Sequence, residues 1–114
     1  DRAVKYDPKI RSIISYNPKV FQRAQELDEY YEKNNKLMGK LHCIPILVKD
    51  NIDIVGIPTT GGVNVLKNSV PNTNALVIER LIEQGAVFIG KTSLNNLGLI
   101  SRNTLDICPN PYDY

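Results

Sequence analysis

The sequence has few of the residues that mark metal, redox or membrane functions. Its two cysteines, Cys43 and Cys108, lie far apart and form neither a CxxC pair nor a Cys/His ligand spacing, which argues against a zinc or dithiol site. We therefore expect free, buried thiols and no metal or other cofactor. The longest clean apolar run, Ile44 to Val48, includes Pro45 and is far too short to cross a bilayer. No membrane-spanning segment is predicted.

The charged residues likewise lack any concentrated block. Fourteen Lys and Arg against twelve Asp and Glu give a formal charge of +2, and these residues are scattered. Without a basic stripe for phosphates, nucleic acid is not an implied partner. No charged-then-apolar leader opens the chain, and Asp1 is not an initiator methionine, so the location stays unknown, with the cytoplasm favoured. With 42% hydrophobic and 23% charged residues, a packed core is expected.

The first third of the chain predicts a helix from about Pro18 to Lys33. Apolar residues recur there at helical spacing, Asn17 can cap the helix and Pro18 suits its first turn. The opposite face is charged, and we interpret it as a solvated surface that does no chemistry. Its residues are Arg23, Glu26, Glu29 and Glu32. Residues 1 to about 36 form a helical lead-in, and residues from about 41 to 114 form an α/β portion of the same domain.

The α/β portion begins with a short apolar run, residues 43–48, that predicts a buried strand ending at Lys49. Residues 51–64 mix glycine, proline and threonine, which predicts a loop on the functional side. Residues 86–89 predict a second buried strand. A helix between the two strands would place them parallel in one sheet.

That intervening helix is predicted from Asn72 or Thr73 to Gln84. Its apolar stripe contains Ala75, Ile78, Leu81 and Ile82. Gly85 follows where a left-handed residue would end it. A further helix is predicted to begin at Thr92 or Ser93 and to run toward Ile100.

Lys49 is the first candidate for chemistry, because a lysine at the end of a buried strand is costly to desolvate while charged. Its pKa should fall, and the neutral amine could then act as a base. A lysine at a strand end more often extends to the surface, however. Lys91 follows the second strand in the same way, so the local sequence does not separate the two lysines.

A family resemblance separates them. Residues 41–52, LHCIPILVKDNI, are similar to the segment usually read as L-H-G-I-P-I-x-V-K-D-N in amidase-signature hydrolases. Further matches follow in the family's order and spacing. They are Pro58 to Thr60 with the glycine after it, the helix over 75–81, Gln84 to Val87, Gly90 to Thr92, and Asn110 to Asp113. The similarity covers nearly everything from Asn17 onward and implies a partial amidase-signature fold, with a mixed, mostly parallel sheet flanked by helices.

The resemblance implies hydrolysis of carbon–nitrogen amide bonds by a lysine, a bridging serine in a cis conformation and a nucleophilic serine. Lys49 matches the lysine. Asp50 and Asn51 are expected to hold the loop around it by hydrogen bonds, and Thr59 and Thr60 to satisfy backbone groups in the turn. The single histidine, His42, is expected to stabilise a loop, since the family uses lysine as the base.

Both serines of the family's catalytic group are expected shortly after Asn110 to Asp113, and the sequence ends at Tyr114. Ser69, Ser93 and Ser101 lack the Gly/Ser-rich surroundings of the nucleophile, so we expect no hydrolysis by this chain alone. Some residues depart from the family pattern. They are Cys43 for a glycine, Val63 for a serine, Asn74 for an aspartate and Asn96 for a glutamate. These departures make a relaxed or non-catalytic relative an open alternative.

Residues 94–98, Leu-Asn-Asn-Leu-Gly, differ from the Met-Asp-Glu-Phe pattern of transamidating tRNA-dependent subunits, so a general amidase with a small-molecule amide substrate is preferred. Two alternatives remain: a non-catalytic binding or assembly module, and one half of a two-chain enzyme. Strands built for a larger sheet would expose edges and apolar faces, which predicts self-association or a covering partner chain.

Overall fold

A computed structural model describes residues 2–98, which fold as three α-helices around a three-stranded sheet. This α/β architecture agrees with the prediction. The elements in chain order are α1 (Arg2–Ile10), β1 (Ile13–Tyr16), α2 (Val20–Asn34), β2 (Pro45–Lys49), α3 (Leu76–Glu83) and β3 (Val87–Thr92). Short 3-10 turns cover Asn64–Leu66 and Asn96–Gly98.

The sheet has the order β1-β3-β2 and is mixed. β2 and β3 run parallel, as predicted, with Pro45 opposite Val87 and Lys49 opposite Thr92. β1 pairs antiparallel with β3, with Tyr16 opposite Gly90. Strand β1 was not predicted from the sequence, and it lies inside the region expected to be a helical lead-in. β3 is therefore central, and β1 and β2 are the two outer strands of the described sheet.

Helix α2 agrees closely with its prediction but differs at one end and on one face. It begins at Val20 because Asn17 forms a turn one step earlier, where its Oδ1 accepts a hydrogen bond from the Lys19 N–H at 2.9 Å. Arg23 was expected on the solvated face and instead donates to the carbonyl of Ile82 at the end of α3, at 3.0 Å. Leu27 is fully buried and anchors the helix.

Helix α3 and the two parallel strands build the core. Its buried members come from the strands, from α3 and from the loop after β2, and they are Val48, Ile54, Ile57, Ile78, Ala86 and Phe88. α3 begins at Leu76, a turn later than predicted, and Gly85 follows it with φ +88°, as expected for a left-handed residue at a helix end.

Strand β2 is less buried than predicted, because it lies at the edge of the sheet that residues 2–98 form. Ile44, just before the strand, and Leu47 within it are 47% and 40% exposed. Cys43 is also exposed, contrary to the expected buried thiol, and lies before the strand with φ +61°. Cys108 lies outside the described residues.

The segment after β3 also differs from its prediction. Thr92 belongs to β3, and only the short turn Asn96–Gly98 follows within the described residues, with Leu97 at φ +52°. No helix begins at Thr92 or Ser93, since the backbone of Ser93 is held by the carbonyl of Ser12 instead, at 2.9 Å. The rest of the predicted helix lies outside the described residues.

Candidate functional site

The carboxyl ends of the parallel strands β2 and β3 bring two lysines to one edge of the sheet. Ligands of α/β proteins commonly bind at this edge. Lys49 ends β2 and is exposed, and its Nζ donates a hydrogen bond to the carbonyl oxygen of Ser93 at 2.5 Å. Its backbone pairs with Thr92 of β3. The predicted base therefore points across the strand ends and stays accessible to solvent.

Lys91 is fully buried, in contrast to Lys49. Its Nζ donates to the carbonyl of Ile52 at 2.6 Å and to Oγ1 of Thr59 at 2.9 Å. Burial lowers the pKa of the Lys91 amine, and the nearby carboxylates of Asp50 and Asp53 partly oppose that effect. The burial that the sequence led us to expect at Lys49 is thus found at Lys91.

Asp50 directly follows Lys49, is fully buried and closes the turn that faces it. Its carboxylate accepts hydrogen bonds from the Thr60 N–H at 3.1 Å, from the Gly62 N–H at 3.4 Å and from the Thr60 hydroxyl. Its backbone carbonyl accepts from the Gly61 N–H at 3.0 Å. Asn51 is exposed and lies outside this network. Residues 60–62, which we call the Asp50 turn, are therefore held at the end of β2.

The Asp50 turn packs directly against the segment that follows β3. A Cβ atom on Gly62 would overlap the carbonyl oxygen of Leu94, so this approach requires a glycine. The Leu97 N–H donates to the Gly61 carbonyl at 2.6 Å. From the sequence, Gly61 and Gly62 were predicted only to form a turn, and their contact with the segment after β3 was not predicted. Two adjacent glycines were the sequence feature that could have indicated such a close approach.

Other candidate residues take part in local structure. His42 accepts a hydrogen bond through Nδ1 from the Met38 N–H at 3.1 Å, as expected of a loop-stabilising histidine. The Ser69 carbonyl accepts from the Thr59 N–H at 2.9 Å, and the Ser12 hydroxyl donates to Asp7 at 2.6 Å.

Within residues 2–98, no group of three His, Cys, Asp or Glu side chains is placed to hold a metal ion. No helix in that range is long and apolar enough to span a membrane.

This geometry offers an accessible amine, Lys49, on a rigid platform made of the Asp50 turn and the carbonyl of Ser93. An amine can take up a proton from a hydroxyl that approaches it. Nearby backbone groups of the turn are engaged with Asp50 and with the segment after β3. The platform can therefore position a proton acceptor.

Known proteins that are similar to this chain point to one family. The family model described as Amidase matches residues 1–113. A mitochondrial glutamyl-tRNA(Gln) amidotransferase subunit of Canis lupus familiaris is 42% identical over 96 residues, which cover 82% of this chain and 18% of the relative. The corresponding amidotransferase subunit of Exiguobacterium sibiricum is 40% identical over 104 residues, which cover 90% of this chain and 21% of the relative.

Among solved structures, the native peptide amidase from Stenotrophomonas maltophilia has a TM-score of 0.76 and 35% identity, covering 83% of this chain and 20% of that one. The chain thus spans about a fifth of the length of the relatives it matches. The match runs through both parallel strands and through the segment that carries Lys49. The chain belongs to the amidase family.

Proposed function

We propose that this chain supplies the lysine base of an enzyme that hydrolyses carbon–nitrogen amide bonds. The observation that carries the proposal is the position of Lys49, which ends β2, is exposed, and is held on the Ser93 carbonyl at 2.5 Å. Membership of the amidase family and the 35% identity to a peptide amidase support the reaction class. The substrate would be a small molecule with an amide group.

In the proposed mechanism, the neutral amine of Lys49 accepts a proton through a bridging serine hydroxyl. The nucleophilic serine, deprotonated in this way, attacks the amide carbonyl and forms an acyl-enzyme, which water then hydrolyses. Backbone N–H groups near the nucleophile would stabilise the oxyanion of the tetrahedral intermediate. Asp50, Thr59 and Thr60 keep the turn beside Lys49 in place, and exposed Asn51 lies at the rim of the site.

Both serines would come from residues other than the serines described. Ser12 is bound to Asp7, and Ser69 holds the loop through its backbone. Ser15 lies within β1, where its backbone pairs with Lys91 of β3. Ser93 contacts Lys49 through its carbonyl oxygen, which carries no proton to transfer. The serines would therefore lie in another part of the polypeptide or in a partner chain.

The test is Lys49→Ala in the full gene product, with release of ammonia from small primary amides as the readout. Loss of a positioned base should lower kcat by about 10²–10⁴-fold with little change in KM. Lys67→Ala, at another exposed lysine, is the matched control and should retain full activity. An active Lys49→Ala enzyme would remove Lys49 from the catalytic group.

The origin of the nucleophile can be tested with a serine-reactive fluorophosphonate probe and the 114-residue chain. We expect no labelling of the chain alone. We expect labelling when the segment or partner that carries the serines is added. Labelling of the isolated chain would contradict the claim that its serines are not nucleophiles.

A second candidate is favoured by the sequence relatives, which are named as glutamyl-tRNA(Gln) amidotransferase subunits and reach 42% identity. In that case the released ammonia would be passed to an acceptor, and partner subunits would be needed. The two candidates differ in substrate: the general amidase releases ammonia from simple amides by itself. The amidotransferase would need glutamyl-tRNA and its partner subunits for full activity. Comparing ammonia release under these two conditions separates them.

A further inference from the structure

The buried amine of Lys91 has no role in the proposed mechanism, although burying a lysine is costly. The side chain is fully buried, and its two hydrogen bonds reach a backbone carbonyl, that of Ile52, and a hydroxyl, that of Thr59. Both acceptors are uncharged. Within residues 2–98, no carboxylate lies within salt-bridge distance of this amine. A simple ion pair therefore does not account for its burial.

The two acceptors of Lys91 lie at the two ends of the loop that follows Lys49. Ile52 comes just after Asp50, and Thr59 comes just before the Asp50 turn. By holding both ends, the Lys91 amine ties the loop to the central strand β3. Loss of either hydrogen bond releases one end of the loop from β3.

The loop is in turn connected to the position of Lys49 through a series of direct contacts. The Asp50 carboxylate holds Thr60 and Gly62, and the glycines of this turn pack on Leu94 and Leu97. These two leucines belong to the segment that begins at Ser93. The carbonyl of Ser93 is the acceptor of the Lys49 Nζ.

We propose that Lys91 is a positioning residue, which fixes the loop over residues 52–59 and thereby keeps Lys49 seated on the Ser93 carbonyl. The proposal deepens the proposed function and rests on it for its catalytic meaning. It is a statement about the position of Lys49, however, and can be measured without catalysis.

Thr59 offers the cleanest variants, because Lys91 itself is buried and its replacement perturbs the fold more. Thr59→Val keeps the volume and removes the acceptor of the Lys91 hydrogen bond. Thr59→Ser keeps the hydroxyl and is the conservative variant that should rescue. Lys91→Met removes both hydrogen bonds. Leu27→Ala, in the buried face of α2, controls for loosening elsewhere in the chain.

The probe is trace acetic anhydride, and the readout is the acetylation rate of the Lys49 amine, measured by mass spectrometry of its peptide. In Thr59→Val and in Lys91→Met, Lys49 should be freed from Ser93 and its acetylation rate should rise about fivefold. This ratio corresponds to the net free energy of one hydrogen bond. Thr59→Ser and Leu27→Ala should keep the wild-type rate. Rates unchanged in Thr59→Val would overturn the proposal, even if Lys91→Met alone were faster.

An equal rise in Thr59→Ser or in Leu27→Ala would also overturn it, since general loosening would then explain the effect. The outcome is separate from that of the catalytic test. If Lys49→Ala leaves amidase activity intact, the proposed function fails, while the acetylation rates still report whether Lys91 positions Lys49. If the rates do not respond and Lys49→Ala is inactive, only the role of Lys91 is lost.

Discussion

Strands β2 and β3 have similar sequence patterns and lie side by side in parallel, but most positions of β3 are buried and most positions of β2 are not. Each follows a residue in the left-handed region, Cys43 at φ +61° and Gly85 at φ +88°. Each carries a lysine at or near its carboxyl end. β3 is almost entirely buried, whereas only Val48 of β2 is. The Cys43 N–H even donates to the Gly85 carbonyl, at 2.9 Å, so the two strands begin at matched positions.

The difference follows from the position of each strand in the sheet. β3 pairs with a neighbour on both sides, and its Lys91 extends into the space covered by the loop after β2. Within residues 2–98, β2 pairs on one side only, and Lys49 extends to solvent. Similar local sequences therefore place a buried amine that holds the loop on β3 and an accessible amine on β2.

The largest effect on stability is expected at Asp50, the buried carboxylate between the two lysines. Asp50→Ala leaves the N–H and the hydroxyl of Thr60 without their acceptor and removes the negative charge near Lys91. We expect the free energy of unfolding to fall by about 2–4 kcal/mol, because buried donors that were bonded to a charged group are left unsatisfied. Urea denaturation followed by circular dichroism measures this change.

The matched control for that experiment is the next residue, Asn51, which is exposed. Asn51→Ala should change the free energy of unfolding by no more than about 0.5 kcal/mol. A similar loss in both variants would mean that the end of β2 is sensitive as a whole, and that the burial of Asp50 is not the cause.

The next effect is a pH dependence that comes from Lys91. An unfolded lysine titrates near 10.5, and burial lowers the pKa of Lys91 in the folded chain. Between the lowered pKa and 10.5, the unfolded chain binds a proton that the folded chain does not, so the free energy of unfolding rises with pH in this window. Below the lowered pKa, the cost of burying the ammonium is fully present.

Lys91→Met lacks this titration, so subtracting its free energy of unfolding from that of the wild type isolates the contribution of Lys91. The difference should become more favourable to the wild type as the pH rises from the lowered pKa of Lys91 toward 10.5. Chemical denaturation at a series of pH values gives both curves. A difference that stays flat or falls with increasing pH would show that the folded-state amine is not harder to protonate.

The smallest effect is expected at the start of β2. Cys43 has φ +61°, which costs a residue with a side chain about 1–2 kcal/mol, whereas Gly85 has the same type of conformation without that cost. Cys43→Gly should raise the free energy of unfolding by about 0.5–1 kcal/mol after the greater freedom of glycine in the unfolded chain is subtracted. Thermal and urea unfolding measure the gain.

Cys43→Ala is the control, because it removes the exposed thiol and keeps the positive φ. It should leave stability within about 0.5 kcal/mol of the wild type. Gly85→Ala tests the equivalent position before β3 in the opposite direction, since its Cβ would lie 2.8 Å from the backbone of His42. A Cys43→Gly variant no more stable than Cys43→Ala would mean that the backbone at Cys43 is not strained.

Several elements followed from local patterns. The apolar spacing of α2 and α3, the β-branched run of β2 and the apolar run of β3 were sufficient to predict those elements and the parallel pairing. The family motif selected Lys49 for the catalytic role, which stays a prediction. Strand β1 was missed because four residues, Ile13–Tyr16, carry too little periodicity to distinguish a strand from a turn.

The contacts that decide the site were beyond local patterns. Arg23 reaches Ile82 across 59 positions, and Lys91 reaches Ile52 and Thr59 across 39 and 32 positions. Such contacts depend on which strand is central and on how the loop after β2 folds back, and neither is encoded in the neighbouring residues.

The sequence by itself determined the family, the order of the parallel strands and helix α3, and the placement of a lysine at or near the carboxyl end of each parallel strand. Only the tertiary structure decided which lysine is buried. Strand ends are specified by short local patterns, whereas burial depends on the strand's neighbours in the sheet and on the loop that covers it. That difference left Lys49 accessible and placed Lys91 beneath the loop.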